Sequence, residues 1–419
     1  MRFIDVFAGC GGLSLGLLKA GCHGVAAIEK NPMAFETLRH NLIDGQRYQF
    51  DWPAWLPKEA MSCEQFLTDY REQLPTLAGT IDLMVGGPPC QGFSLAGRRN
   101  PADPRNKMAE QYLELVKLVR PKFIVIENVS GFNSKFNESK RDDFTDDKYF
   151  KQSYAQYISE ELERIGYSVS RGKLNCGNFG VPQNRHRYFI VCMRQGVHEN
   201  LFERLALYGG DFKRAKNLNP EKSVSVQEAI SDLETKNKKL KVSTDSPAKG
   251  FREIEYKEPD IISPYLRLMR DGHIGAPNSL RLPNHKADTI VQFIKIRQAS
   301  EPGKSLSKVA RDSLGLKKHA ITVLAKNLPS PTITTLPDDI IHYSEPRILT
   351  ARETARIQSF PDWFEFTGKY TTGGIARKLD CPRYTQIGNA VPPLLAEAIG
   401  LMLMGFIADQ EQLPEAMEN

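Results

Sequence analysis

The sequence predicts an α/β fold with a doubly wound, mostly parallel sheet and a second, smaller and irregular domain. Three observations support this: short apolar runs alternate with amphipathic helical patterns over the first 200 residues, a glycine-rich turn follows the first run, and the alternation stops after Arg194. Apolar strands joined by helices are typical of parallel sheets. The predicted strands are 3–7, 25–28, 81–85, 123–126 and 188–192.

The helices are predicted from apolar spacing and from their end signals. Gly21 ends the helix that follows the first strand, and Thr350 with Glu353 three residues on is a capping box. Between Arg194 and this box, periodicity is weak and lysines, prolines and glycines are frequent, which predicts short strands and loops. After the first, the predicted helices are 109–119, 154–165, 346–360 and 392–408.

Composition excludes several classes of protein. With 41% hydrophobic and 25% charged residues among 419, the chain is typical of a soluble globular protein. The most apolar stretch, 394–407, is too short for a membrane helix and contains Glu397, and the first ten residues lack a signal-peptide pattern. Seven scattered cysteines without a CxxC pair argue against disulfides and structural zinc. We therefore expect a cytoplasmic protein with no membrane partner and no metal.

The glycine-rich turn FAGCGG predicts a cofactor site. Gly9, Gly11 and Gly12 let the backbone approach a ligand at a helix N-terminus, and Glu29 follows at the end of the next strand. A carboxylate there can accept both hydroxyls of a ribose. The turn is neither GxGxxG nor a phosphate-binding loop, so S-adenosyl-L-methionine fits better than NAD. The alternative is a tight turn beside a surface glutamate.

A second turn, GGPPCQGFS at 86–94, predicts a nucleophile. Two prolines fix the backbone and flanking glycines allow a sharp turn, which presents Cys90 at the carboxyl end of a strand. Doubly wound folds bind their ligands at this end of the sheet. A buried structural cysteine needs no such presentation, so a chance cysteine in a turn is the weaker alternative.

Taken together, the motifs resemble those of bacterial DNA (cytosine-5)-methyltransferases of restriction–modification type. They occur in the family's order and cover both ends of the chain: FAGCGG (7–12), GGPPCQGFS (86–94), IENV (126–129), QNRHR (183–187), RILTARETARIQSFP (347–361) and QIGNAVPP (386–393). The resemblance implies the sheet of the AdoMet-dependent methyltransferases. It also implies four regions: a catalytic AdoMet-binding domain at 1–199, a target-recognition domain at 200–346, a connection at 347–381, and a return to the catalytic domain at 382–419.

The resemblance assigns the catalytic residues. Cys90 would add to C6 of a flipped-out cytosine, and Glu127 would protonate the ring near N3, which requires a raised pKa. The spacing of Gln183, Arg185 and Arg187 predicts that all three face one side of a strand. Two arginines on one side suit a base carbonyl, a phosphate or the orientation of Glu127. By resemblance Arg187 lies at the target base, and Arg185 is the second catalytic candidate. An ion pair for Glu127 and an ion-pair cluster for Arg185 are the alternatives.

Cofactor and DNA contacts are also implied by the resemblance. Phe7 would line the adenine site, Pro89 would lie beside the methionine moiety, and Asn389 would contact the cofactor; a helix-capping role is the alternative for Asn389. Asp51, Glu64 and Asp69 remain open as the acid that contacts adenine. The residues assigned to DNA are Ser94, Arg105 and, within PTITTL at 331–336, Thr334, for which a plain strand is the alternative.

Double-stranded DNA is the expected partner. Residues 204–326 hold 24 Lys and Arg against 14 Asp and Glu, in a chain of net charge +6. We expect a monomer that protects host DNA, with a cognate restriction endonuclease acting on the same site without direct binding. The alternatives are a tRNA cytosine-5 methyltransferase and a catalytically silent DNA-binding protein; an NAD oxidoreductase would need the missing GxGxxG turn.

Overall fold

A computed structural model describes residues 1–88, 107–134, 152–194, 199–318, 320–370 and 380–412. The chain divides into two compact units. The first contains Met1–Asn175, His186–Gly209 and Leu395–Asn419, and the second contains Cys176–Arg185 and Gly210–Leu394. The predicted target-recognition region therefore falls in the second unit from Gly210 onward, and this unit also takes in Cys176–Arg185.

The first unit is built on a six-stranded sheet in the order β2-β1-β3-β4-β7-β5. The first four strands are parallel, whereas β7 runs antiparallel to both β4 and β5. The predicted α/β fold is thus confirmed, with a mixed sheet. The six strands are β1 (Arg2–Val6), β2 (His23–Ile28), β3 (Leu83–Gly86), β4 (Phe123–Val129), β5 (Tyr167–Asn175) and β7 (His186–Arg194), and β6 (Gln183–Asn184) lies outside this sheet.

Strand β5 was not predicted, for a physical reason. It lies at the sheet edge, most of its residues are partly exposed, and its sequence YSVSRGKLN is mainly polar. Only the ten residues Cys176–Arg185 separate it from β7. A connection of that length is too short for a parallel crossover, so the pair is antiparallel.

Helices cover the sheet of the first unit and bury its apolar residues. Ile4, Val25, Met84, Ile124 and Ile190 lie in one core cluster that helical residues complete. The helices of the N-terminal half are α1 (Gly12–Lys19), α2 (Pro32–Leu38), α3 (Cys63–Asp69), α4 (Lys107–Val119) and α5 (Tyr154–Arg164), and α6 (Leu201–Ala215) follows β7.

The second unit has short elements, as its weak periodicity predicted. Its strands pair in twos, β8 with β9, β10 with β12 and β11 with β6. These strands are β8 (Leu240–Val242), β9 (Arg252–Ile254), β10 (Thr322–Val323), β11 (Ser330–Pro331) and β12 (Ile340–Ile341). The helices of this unit are α7 (Val226–Ile230), α8 (Pro264–Arg270), α9 (Ala287–Ala299), α10 (Lys308–Ser313), α11 (Ala351–Ile357) and α12 (Arg383–Asn389). The last helix, α13 (Pro393–Gln412), belongs to the first unit from Leu395 onward.

Buried ion pairs organise α11. Thr350 and Glu353 form the predicted capping box, and Glu353 also receives two hydrogen bonds from Arg347, at 2.7 and 2.8 Å. Arg356, on the same helix, pairs with Asp362 and Asp232. Burial raises the pKa of Glu353, but the pairing with Arg347 outweighs it and holds that pKa well below its usual range. These charges are stable in the interior only because each has its partner.

One helical stretch, 383–412, is long and apolar enough by composition to cross a membrane. Most of its apolar window is buried within the structure, which is typical of a core helix in a soluble protein.

Candidate active site

The glycine-rich turn leaves β1 with an unusual backbone. Phe7, Gly9 and Gly11 have φ values of +65°, +57° and +91°, in the left-handed region that favours glycine. Phe7 is not a glycine, so its backbone stores strain, a feature that often marks functional sites. The turn is held by the N–H of Ala8, which donates to Ile28 O at 3.0 Å. Phe7 itself is half-buried and packs partly against the core.

Two glycines of the turn have different surroundings. A Cβ on Gly11, which immediately precedes α1, would lie 2.9 Å from Leu42 and 3.2 Å from Leu38. A Cβ on Gly9 would meet no described atom within 4 Å. Gly11 therefore serves close packing, whereas Gly9 borders open space. Gly12 is the first residue of α1 and is buried.

Glu29 closes the turn from the end of β2. Its Oε2 accepts the N–H of Gly9 at 3.0 Å and its Oε1 accepts the N–H of Asn31 at 2.7 Å. The side chain of Asn31 in turn caps α2. Burial raises the pKa of Glu29, and backbone hydrogen bonds from Asn31, Gly9 and Lys30 partly offset that rise. The carboxylate keeps acceptor capacity for a further donor, such as a ribose hydroxyl.

A buried acid beneath the turn was missed by the sequence reasoning. Asp5 lies within β1, is 1% exposed, and its Oδ2 accepts a hydrogen bond from Ser14 Oγ at 2.6 Å. Burial raises the pKa of Asp5 to about 7, although the hydrogen bonds with Ser14 lower it to a smaller extent. An acidic residue inside the apolar run FIDVF was the available signal.

Glu127 and Arg187 form an ion pair across two neighbouring strands of the sheet. Arg187 Nε lies 2.9 Å from Glu127 Oε1, and both side chains are mostly buried, at 13% and 12% exposure. Arg187 also donates from Nη1 to His186 O at 2.8 Å. The register that pairs β4 with β7 antiparallel sets Glu127 opposite Phe189 and Val129 opposite Arg187, so the ion pair runs diagonally.

The residues after β3 approach Glu127. A Cβ on Gly87 would lie 3.4 Å from Glu127 Oε2, so the absence of a side chain leaves that carboxylate oxygen beside the start of the Pro-Pro turn. Next to it, Asn128 is 3% exposed and donates from Nδ2 to Pro88 O at 3.0 Å. Sequence reasoning gave Asn128 no role, although it stands within the IENV motif. Pro89, Cys90, Ser94 and Arg105 lie outside the described residues.

Four of these positions form a row across the sheet. Val6 pairs with Ile28 and with Gly86, and Gly86 pairs with Ile126. The next residues along the four parallel strands are therefore neighbours at the carboxyl edge, namely Glu29, Phe7, Gly87 and Glu127 in the order β2-β1-β3-β4. With about 4.8 Å between strands, the outer two are separated by roughly 14 Å.

Arg185 corrects one expectation. It does not continue the strand that carries Arg187, because β6 ends at Asn184 and β7 begins at His186. Its guanidinium is 2% exposed and donates to the carbonyls of Ile333, Gly388 and Ala390 instead of facing the partners of Arg187. Alternation along a single strand therefore does not apply across this break, and the predicted shared face is wrong.

Thr334 and Asn389 are both exposed residues of the second unit. Thr334 Oγ1 donates to Asp339 Oδ2 at 2.8 Å and accepts the N–H of Leu336 at 3.1 Å. Only the first residue of PTITTL belongs to the two-residue strand β11, and Thr334 lies beyond it in a local turn. Asn389 is the last residue of α12, which rules out the capping role at the start of α13.

A mixed sheet with a glycine turn and an acid at its carboxyl edge is typical of α/β proteins that bind a nucleoside-containing ligand. A crystal structure described as a DNA modification methyltransferase encoded within a prophage of E. coli has the same fold, with a TM-score of 0.63 and 23% identity, over 97% of this chain and 99% of that one.

The family model "C-5 cytosine-specific DNA methylase" matches residues 1–404, and the chain belongs to this family. Type II methyltransferase M.DdeI of Desulfomicrobium norvegicum is 32% identical over 95% of this chain and 87% of its own length. Type II methyltransferase M.XorII of Xanthomonas oryzae pv. oryzae is 28% identical over 99% and 87%. The chain is thus a DNA cytosine-5 methyltransferase.

Proposed function

We propose that this enzyme transfers a methyl group from S-adenosyl-L-methionine to C5 of a flipped-out cytosine within a specific double-stranded DNA sequence. The row of Glu29, Phe7, Gly87 and Glu127 along one sheet edge carries the proposal. It sets a ribose-binding carboxylate and a base-binding carboxylate roughly 14 Å apart, on the same side of the sheet. A nucleoside-based methyl donor and a target base meet between such positions.

Cys90 acts as the nucleophile in this proposal. Its thiolate adds to C6 of cytosine, and the electron pair that this releases makes C5 nucleophilic. The methyl group for C5 would be supplied by bound S-adenosyl-L-methionine, which would leave as S-adenosyl-L-homocysteine. Loss of the C5 proton to a base and departure of the Cys90 thiolate from C6 then restore the aromatic ring. The base must leave the duplex first, at a cost of a few kcal/mol, because stacking hides both faces of the ring.

Glu127 works on the same ring, at N3. A carboxyl group there offsets the charge that develops when the thiolate adds. Arg187 holds the carboxylate by its Oε1, which leaves Oε2 on the side of Gly87. Asn128 holds the backbone of the Pro-Pro turn at Pro88, the residue after Gly87, which is Glu127's neighbour on the adjacent strand. Arg187 also suits the O2 atom of the base.

The cofactor-binding residues fit an adenosine. Glu29 has acceptor capacity for ribose hydroxyls, Gly9 borders open space, and the strained Phe7 offers an aromatic surface. Gly11 and Gly12 shape the turn, and the resemblance adds Pro89 and Asn389. When bound, S-adenosyl-L-methionine supplies an electrophilic methyl group on a sulfonium.

The region 200–346, which lies in the second unit from Gly210 onward, is proposed to recognise the DNA target. The segment 204–326 is rich in lysine and arginine, which favours phosphate contacts. Thr334 is exposed and stands on a turn, and Ser94 and Arg105 follow Cys90 in sequence. Relatives carry Type II methyltransferase names, so we propose host DNA protection by a cytoplasmic monomer, with a cognate endonuclease that reads the same site.

Methyl transfer from tritium-labelled S-adenosyl-L-methionine tests the proposal. Label should enter duplex DNA and not tRNA, and bisulfite sequencing of DNA from an expressing host should map the methylated site. Cys90→Ser should abolish transfer, and duplexes that contain 5-fluorocytosine at the site should trap the wild-type enzyme covalently. Labelled tRNA without labelled DNA would favour the RNA alternative, and wild-type turnover by Cys90→Ser would overturn the mechanism.

A further inference from the structure

Two short segments of the second unit are joined by a buried arginine. We define the threonine segment as 331–336 and the asparagine segment as 387–390. Arg185 Nη1 donates to Ile333 O at 3.0 Å, and Nη2 donates to Gly388 O at 3.0 Å and to Ala390 O at 3.3 Å. One guanidinium, 2% exposed, therefore bonds both segments at once.

Two glutamines make a second link between the same segments. Gln183 Oε1 accepts the N–H of Ile333 at 2.8 Å, and its Nε2 donates to Gln358 Oε1 at 2.6 Å. Gln358 Nε2 then donates to Ile387 O at 2.8 Å and to Ala390 O at 3.2 Å. Both glutamines are fully buried.

The backbones of the two segments also touch directly. A Cβ on Gly388 would lie 2.4 Å from Thr334 O and 2.7 Å from its carbonyl carbon, so only glycine permits this contact. A shift of either segment would strain this packing or leave buried polar groups unpaired, and each such group costs about 1–3 kcal/mol. The two segments therefore move together or not at all.

We infer that Arg185 is a positioning residue that couples DNA binding at Thr334 to cofactor binding at Asn389. The inference rests on the proposed function, which assigns these two residues to their ligands. A ligand that orders one segment also orders the other through Arg185, so the second ligand loses less conformational entropy when it binds. By linkage the effect is reciprocal, and couplings of this kind are about 5- to 150-fold.

The test compares the affinity of S-adenosyl-L-homocysteine for the enzyme with and without a duplex that carries the mapped site. The ratio of the two dissociation constants is the coupling factor. In wild type we expect DNA to tighten binding at least about fivefold. In Arg185→Lys the factor should fall towards one, because a single ammonium lacks the rigid fork that bonds three carbonyls. Affinity without DNA should change less than the factor does.

Arg352→Lys is the matched control. Arg352 is also fully buried, in the same unit, and donates to the carbonyls of Asn278 at 2.7 Å, Pro361 at 3.1 Å and Phe364 at 2.7 Å. It bonds neither the threonine nor the asparagine segment in these contacts. The control should lose stability as Arg185→Lys does and keep the wild-type coupling factor, which separates coupling from a merely structural role.

Two further measurements keep the inference testable if Arg185→Lys does not fold. Gln358→Met cuts the second link alone and should also lower the factor. In the unaltered enzyme, S-adenosyl-L-homocysteine should slow hydrogen exchange of the amides at 333–336. An unchanged factor in Arg185→Lys, the lack of any coupling in wild type, or unchanged exchange would each overturn the inference. A wild-type enzyme that methylates no DNA would instead overturn the proposed function.

Discussion

Arg187 Nε lies 2.9 Å from Glu127 Oε1, so a side chain from β7 fixes the orientation of a carboxylate on β4. The pair is mostly removed from water, and its geometry leaves Oε2 beside Gly87. A carboxyl group held in this way has a defined direction towards a base before the base arrives. This preorganisation is what general acid–base catalysis needs.

Glu127→Gln should therefore lower kcat for DNA methylation by about 10²- to 10⁴-fold, since the amide cannot supply a proton to the ring. The KM for S-adenosyl-L-methionine should change little, because Glu29 and the glycine turn are untouched. Glu114→Gln is the control, as that carboxylate, at 38% exposure, pairs with Arg71 at the surface. Steady-state tritium transfer measures both; equal rates for the two variants would remove Glu127 from the chemistry.

Asn128→Ala should lower the turnover of the enzyme, because it removes a hydrogen bond to the backbone at Pro88. Its Nδ2 bonds Pro88 O at 3.0 Å, two residues before Cys90, so its loss frees the start of the turn. We expect kcat to fall by about 10- to 100-fold, since small misplacements of reacting groups are costly. Asn41→Ala removes an equally buried bond, to Thr37 O at 2.7 Å. Both variants should lose similar stability in thermal unfolding, and only Asn128→Ala should lose turnover.

Asp5 makes stability depend on pH. Its pKa is about 7 in the folded chain because of burial, against an ordinary value of 3.8. The native state therefore keeps a proton that the unfolded state has lost, so stability falls as pH rises from about 4 to about 7. The loss from this group is on the order of 4 kcal/mol.

Asp5→Asn removes this titration. The stability of the variant relative to wild type should rise between about pH 4 and about pH 7, measured by urea unfolding at each pH. Asp82→Asn serves as the comparison. Partial burial raises the pKa of Asp82, but hydrogen bonds from Arg2 and Lys122 outweigh this and lower it, so the charged carboxylate stabilises the native state above about pH 4. Asp82→Asn should therefore be less stable than wild type above about pH 4, and the difference should shrink at lower pH. A pH-independent difference between Asp5→Asn and wild type would contradict the assignment.

Sequence alone predicted the parts of the fold that local physics determines. The apolar runs of β1 to β4, the glycine turn and the capping box at Thr350 are confirmed, because each is set by neighbours in the chain. The edge strand β5 was missed, since its polar residues face partly to solvent. The pairing of β5 with β7 could not be predicted either, because contacts between separate segments produce no local pattern in the sequence.

The site shows the same division between local and distant information. Glu29 was found by its position directly after a strand, and Glu127, within a strand, by the resemblance of its IENV motif. The partners of Arg185 could not be predicted, because they are backbone carbonyls 148 to 205 residues away and carbonyls carry no sequence signal. The buried Asp5 was readable in principle, as an acid within an apolar strand.

Alanine substitutions at Gly9 and Gly11 should have different effects, one mainly on cofactor affinity and the other mainly on the stability of the fold. Both have positive φ, so alanine costs about 1 kcal/mol or more at either position. At Gly11 the new Cβ also meets Leu42 at 2.9 Å, which should add about 1–3 kcal/mol. At Gly9 the Cβ enters open space, where we propose that the adenosine lies.

Gly11→Ala should thus show the larger loss in urea unfolding, and Gly9→Ala the larger loss of affinity for S-adenosyl-L-homocysteine in calorimetry. The two variants serve as controls for each other, because they lie two residues apart in the same turn. If Gly9→Ala bound the ligand as wild type does, the space beside Gly9 would not be the cofactor site, and the row of Glu29, Phe7, Gly87 and Glu127 would lose its interpretation.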